Sequence, residues 1–162
     1  MEMRSTDLIA GLGHLALGTR LKRIGEALQA GVGEALAARR IAVQPAHIPI
    51  LVALRQSGGM TVGELAVLLG QSQPGISRGL RELADRNLIR ISPGRDRRVR
   101  TARLTEGGES LMEEIETVIF PRVRAAAEAL CAGLDGGLLK QLGELDHRLA
   151  RRPFGQRIEG KS

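Results

Sequence analysis

Aromatic side chains are almost missing from this chain: of 162 residues only Phe120 and Phe154 belong to that class, and there is no Trp or Tyr. Proteins that grip single-stranded RNA or DNA stack bases on such rings, so a nucleic-acid partner, if there is one, should be a duplex. Cysteine is equally scarce. Cys131 stands alone, which excludes an intramolecular disulfide and a zinc site built from several cysteines. Long apolar runs are missing as well: stretches such as Leu65 to Leu69 fall far short of the roughly 20 residues needed to cross a bilayer. The segment Met1-Glu2-Met3-Arg4 lacks the charged-then-apolar layout of a signal peptide. The three histidines lie far apart, no glycine motif cradles phosphate, and no acid–base pair stands out from helix-surface charge. Neither an enzyme nor a metal or other cofactor is therefore expected. A cytoplasmic protein forming a single domain over residues 1–162 is the starting expectation.

What the chain does have is positive charge, and it is unevenly placed. The formal net charge is +6; residues 1–70 carry +2, residues 71–100 carry +5, and residues 101–162 carry −1. Twenty-one of the 24 basic residues are arginine, whose planar fork donates in pairs to phosphate oxygens or a guanine edge. Arginine-richness alone also fits a solvated surface. Clustering in thirty residues favours a binding role.

Periodicity orders the rest. Leu17, Leu21, Ile24, Leu28, Val32 and Ala35 repeat at three and four residues, the stripe of one long helix within residues 8–36. Six glycines lie in that segment, each unfavourable by up to about 1 kcal/mol against Ala, so packing against other helices must hold it. A second helix opens at Pro45 and runs to Ser57, with a distorted first turn at Pro49, and Gly58-Gly59 ends it. Thr61 and Glu64 have capping-box spacing before a short helix that Gly70 stops. Ser72 then caps a helix with Pro74 in its first turn. That helix buries Ile76, Leu80 and Leu83 and turns Gln73, Ser77, Arg78 and Arg81 outward.

Residues 88–92 and 100–104 alternate as a hairpin, with Ile89, Ile91, Ala102 and Leu104 on one side. Its loop holds Arg95, Asp96, Arg97 and Arg98. Thr105 caps a further long helix that Pro121 should kink or interrupt, residues 133–137 break the chain, and Leu138, Leu142, Leu145 and Leu149 stripe a last helix before a loose tail over 151–162. Two short helices joined by a tight turn and followed by an arginine-tipped hairpin make a winged helix-turn-helix. Such a fold sets the second helix in a major groove about 12 Å wide.

At these residues the sequence resembles the MarR family of bacterial transcription regulators. The matching stretches are Gln44-Pro45-Ala46, Glu64-Leu65-Ala66 to Leu69-Gly70, Ser72-Gln73-Pro74-Gly75-Ile76-Ser77-Arg78-Gly79-Leu80, and Asp96-Arg97-Arg98 leading to Leu104-Thr105-Glu106-Gly107-Gly108. The resemblance implies a mainly α fold with a small β-hairpin wing (α+β), its winged helix-turn-helix core at 45–108 flanked by dimerisation helices at 8–40 and 109–150. It implies a homodimeric repressor of transcription that binds a pseudo-palindromic operator in double-stranded DNA and is relieved by a small-molecule effector. Gln73, Pro74, Ser77, Arg78 and Arg81 would contact bases and phosphates, and Asp96 would pair with Arg98 and aim it at the minor groove. Arg95 and Arg97 complete the basic wing.

The family's effector pocket usually lies between the dimerisation helices and the winged core. There this chain offers His47, able to donate to an anionic effector but equally able to be a partly buried structural group. Cys131 has no nearby Lys or Arg in sequence and reads as a small buried hydrophobe. Arg86 and Arg90 read as ordinary surface charge. The competing function is a winged-helix protein-interaction module whose basic stripe meets an acidic partner.

Overall fold

The computed structural model describes residues 9–93 and 100–160. The chain divides into two compact units, Met1–Pro121 and Arg122–Ser162. The physical reason is the reach of the core, since the last buried hydrophobic side chain among the described residues is Ile119.

In the first unit a 3-10 turn, Gly13–Ala16, leads into α1, Leu17–Ala37. Only Leu36 of α1 is buried, and the stripe of Leu17, Leu21, Ile24 and Leu28 remains 42–48% exposed. After the connection 38–44, a 3-10 turn at Pro45–His47 opens α2, Ile48–Ser57. Pro49 has no N–H for the Pro45 carbonyl, which instead accepts from Ile48; the distorted entry expected from the two prolines takes this form. Helix α2 buries Ile50, Leu51, Ala53 and Leu54 and stops at Gly58, which takes the left-handed conformation with φ 70°.

A two-residue strand β1, Met60–Thr61, precedes α3, Val62–Leu69. Gly70 turns the chain at φ 62° into α4, Gln73–Asp85. Strands β2, Ile89–Pro93, and β3, Arg100–Leu104, pair antiparallel with Ile89 opposite Leu104 and Ile91 opposite Ala102. Strand β1 adds to the other edge of β3, Met60 opposite Ala102, making an antiparallel sheet in the order β1-β3-β2. Ile89, Ala102 and Leu104 are buried beneath it, whereas Ile91 keeps 37% exposure.

Thr105 caps α5, Glu106–Glu114, accepting from the Gly108 N–H at 3.1 Å while its own hydroxyl donates to the Asn87 carbonyl at 2.6 Å. The helix then loosens into a π turn, Ile115–Ile119, before α6, Phe120–Cys131. Pro121 cannot donate to the Thr117 carbonyl. The Phe120 N–H bonds five residues back to Ile115, so the interruption foreseen at Pro121 is a widened turn.

In the second unit α6 ends at Cys131, which is half-buried, and α7 spans Leu138–Arg151. Arg148 donates to Glu144 at 2.6 Å across one turn. That bond and the charge of Arg148 hold the Glu144 carboxyl below its ordinary pKa. The tail expected to be loose contains a further short helix, α8, Phe154–Ile158. Helix ends leave carbonyls without intrahelical donors, and Arg157 meets the Arg152 carbonyl there at 3.0 Å; it also donates at 2.6 Å to the Arg148 carbonyl, which the Arg152 N–H already reaches. No described helix is long and apolar enough to cross a membrane.

Candidate nucleic-acid interface

The helix-turn-helix is fixed from its ends inward. At α3 the Thr61 hydroxyl accepts from the Glu64 N–H at 3.2 Å, and the Glu64 carboxylate accepts from the Thr61 N–H at 2.7 Å and from its hydroxyl at 2.9 Å. The Thr61 backbone bond, seconded by the hydroxyl, holds the Glu64 carboxyl below its usual range. At α4 the Ser72 hydroxyl accepts from the Gly75 N–H at 3.3 Å. Both caps satisfy donors that would otherwise be orphaned in the first turn.

Helix α4 buries Ile76, Gly79, Leu80 and Leu83. Its other side exposes Gln73, Pro74, Arg78 and Arg81, with Ser77 half-buried at the margin. All five recognition-helix residues singled out from sequence therefore lie on one helix, away from or bordering the core. Gly79 has a packing reason that periodicity could not show: a Cβ there would stand 2.9 Å from Ile50 Cδ1 and 3.4 Å from His47 Cδ2. A glycine lets α4 press directly onto the start of α2.

His47 sits at that contact, 7% exposed, with Nε2 3.3 Å from the Glu82 carboxylate of α4. Its buried Nδ1 has no hydrogen-bond partner among the described residues. The structure thus turns His47 toward the recognition helix.

Two arginines act as braces. Arg86, read from sequence as surface charge, reaches from the end of α4 to the Ala42 carbonyl at 2.5 Å. Arg103 of β3 donates to the Gly58 carbonyl at the end of α2. Contacts spanning 44 and 45 residues leave no periodic signal. Arg90 is exposed on β2. Arg95, Asp96, Arg97 and Arg98, the expected wing contacts, lie outside the described residues.

Between α4 and the sheet runs an open cleft of about 330 Å³. Leu80 and Ala102 form its floor, Val62, Ala84 and Ile91 its walls, and Ser77, Arg81 and Arg100 its polar rim. Arg100 was not foreseen in any role; its place at the base of the wing follows from the register of the hairpin, where it stands opposite Pro93.

Comparison with known proteins agrees with this architecture. The sequence profile of the MarR family matches residues 43–99, which take in the helix-turn-helix and strand β2. Among solved structures, a cysteine-to-serine mutant of MarR from E. coli complexed with operator DNA is similar at 19% identity and TM-score 0.69, covering 82% of this chain and 92% of that one. A MarR family transcriptional regulator from Silicibacter pomeroyi DSS is 27% identical, with TM-score 0.58 and coverage of 90% and 89%. AbsC, a MarR family transcriptional regulator from Streptomyces coelicolor, is 24% identical with TM-score 0.61 over 99% of each chain. No curated protein sequence matches the chain. Residues 43–99 thus match the MarR family, and most of the chain has a fold similar to that of MarR family winged-helix transcriptional regulators.

Proposed function

We propose that the chain is a sequence-specific duplex-DNA-binding regulator that works in the cytoplasm as a homodimeric repressor and is relieved by a small-molecule effector. The observation that carries this reading is α4: a capped helix pinned on one side by Ile76, Gly79, Leu80 and Leu83, with Gln73, Pro74, Arg78 and Arg81 free on the other. Gln73, Pro74, Ser77, Arg78 and Arg81 contact the major groove and its flanking phosphates, and Arg95, Asp96, Arg97 and Arg98 serve the wing. The operator complex of the E. coli relative supports the same use of the fold.

Pairing of two chains is supported within each unit by apolar surface left uncovered. Leu17, Leu21, Ile24 and Leu28 line α1, and Leu138, Leu145 and Leu149, 37–46% exposed, line α7. Stripes of that kind on helices are covered in a stable assembly. Two-fold symmetry then spaces two recognition helices by about one turn of DNA, near 10 bp. Effector relief is supported by a recess of about 480 Å³ beside the start of α2, lined by Gln29, Gln44, Gln71, Pro45 and Pro49.

The test is selection of bound duplexes from random DNA by the purified protein, followed by affinity measurement across a salt series. A two-fold half-site pattern and an affinity that falls steeply with salt are expected. Equal binding of every duplex, or salt-independent binding, overturns the reading in favour of an acidic protein partner.

A further inference from the structure

We infer that His47, buried behind the recognition helix, is a positioning residue for DNA binding: by engaging the Glu82 carboxylate it keeps that acid off Arg78 and leaves the Arg78 guanidinium free for the duplex. The inference rests on the DNA-binding function proposed above and concerns a residue behind the interface, not a contact within it.

On a helix, residues four apart are neighbours, and an arginine and a carboxylate at that spacing attract one another. Glu82 stands four residues after Arg78 and four before Arg86. Left to its own helix, it would pair with one of them. Among the described residues it pairs with neither, and its Oε2 lies instead 3.3 Å from His47 Nε2. Arg86 is drawn off by its bond to the Ala42 carbonyl. Arg78, exposed on α4, has no ion-pair partner among the described residues. Asp85 follows Arg81 at the same spacing, but its side chain is one methylene shorter and no ion pair joins them. Glu82 is therefore the carboxylate with the reach to neutralise an outward arginine of α4, and it is the one that is held away.

The hold is built into the contact between α2 and α4. Pro45 and Pro49 flank His47, its N–H donates to the Gln44 carbonyl at 2.9 Å, and the Ile48 N–H bonds to the Pro45 carbonyl. A ring carried on so stiff a turn has little freedom left to lose in engaging a partner. Gly79, one turn before Glu82, lets the ring approach: a Cβ there would stand 3.4 Å from His47 Cδ2 and 3.7 Å from Nε2. Since the buried Nδ1 has no partner, the Glu82 carboxylate is the ring's polar contact among the described residues. An apolar residue at 47 would fill the same space and release the acid.

The experiment titrates the full-length protein with the selected operator at low salt, alongside thermal melts of each variant. A helical arginine–carboxylate pair of this spacing holds back binding by roughly 1.4- to 2.3-fold per recognition helix, which is about 2- to 5-fold on an operator of two half-sites. His47→Leu should weaken operator binding by that factor. In an Arg78→Ala background the same substitution should change nothing, because no arginine remains at 78 to be captured. Adding Glu82→Gln to His47→Leu should return operator affinity to that of the parent. His47→Asn, too short to hold the carboxylate, is measured in the same backgrounds in case the leucine variant melts too low to titrate. A parent protein that binds no duplex overturns both readings. A parent that binds overturns the role of His47 alone in any of three cases: the position-47 variants bind as tightly as the parent, they lose as much in the Arg78→Ala background, or they stay weak when Glu82→Gln is added.

Discussion

Two adjacent glycines at the start of α5 should respond to the same substitution with opposite signs. A Cβ on Gly108 would stand 2.1 Å from the Leu88 carbonyl oxygen, 3.1 Å from its carbon and 3.3 Å from Leu104 Cδ2. A backbone carbonyl cannot rotate aside as a side-chain tip can, and this one also accepts the Thr105 N–H at 3.0 Å. Overpacking of this kind is unfavourable by about 1–3 kcal/mol, and loss of the Thr105 bond adds about 1 kcal/mol. Replacing glycine in a helix returns up to about 1 kcal/mol, so Gly108→Ala should destabilise by about 1–3 kcal/mol. At Gly107 the nearest atoms to a new Cβ are Thr105 Oγ1 at 3.7 Å and the Asn87 oxygen at 3.8 Å, ordinary contact distances. Gly107→Ala should therefore be neutral or stabilising by up to about 1 kcal/mol. Thermal melts at one fixed protein concentration should separate the pair by several degrees, at about 2–4 °C per kcal/mol for a chain of this size. Equal melting of the two variants, or a Gly108→Ala protein as stable as its parent, would refute the close approach of α5 to the Leu88 carbonyl.

Ser72→Ala removes the cap of the recognition helix and should lower stability by about 1 kcal/mol, read by urea titration, together with a weaker operator affinity. The Glu64 carboxyl is held below its unfolded pKa, so the stability it adds is complete above the unfolded value and disappears as pH falls through the lower folded one. Glu64→Gln should flatten the acid limb of the stability profile between about pH 6 and pH 3 and leave the limb above it parallel to the parent's. Leu145→Asp places a charge in the exposed stripe of α7 and, under the proposed pairing, should shift the sedimentation coefficient from dimer toward monomer; an unchanged coefficient would remove α7 from the proposed interface.

Local chemistry was readable from the chain because it acts over three or four residues. Thr61 with Glu64, Ser72, Gly70 and Thr105 announce caps and turns by spacing alone, and the alternation at Ile89 and Leu104 announces a buried strand face. Strand β1 could not be read, since two residues show no alternation and Met60 becomes a strand only by meeting Ala102. Gly79 carries no local signal, because its role follows only from α2 packing against it. His47 and Arg86 are similar cases: their partners, Glu82 and Ala42, lie 35 and 44 residues away. The outward edge of α4 was legible by periodicity, whereas the cleft needed three elements to be brought together. Arg100 belongs to it through the hairpin register and not through any motif.

The pairing of Met60 with Ala102 brackets α3, the turn, α4 and β2 within one closed loop. Closing such a loop loses chain entropy that only the completed core repays, so the winged unit should fold as a single cooperative event. A fragment carrying α3 and α4 alone would lack both Ala102 and the braces from Arg86 and Arg103. The smallest piece of this chain able to present the recognition helix in its native pose therefore extends from the connection at Ala42 to beyond Thr105.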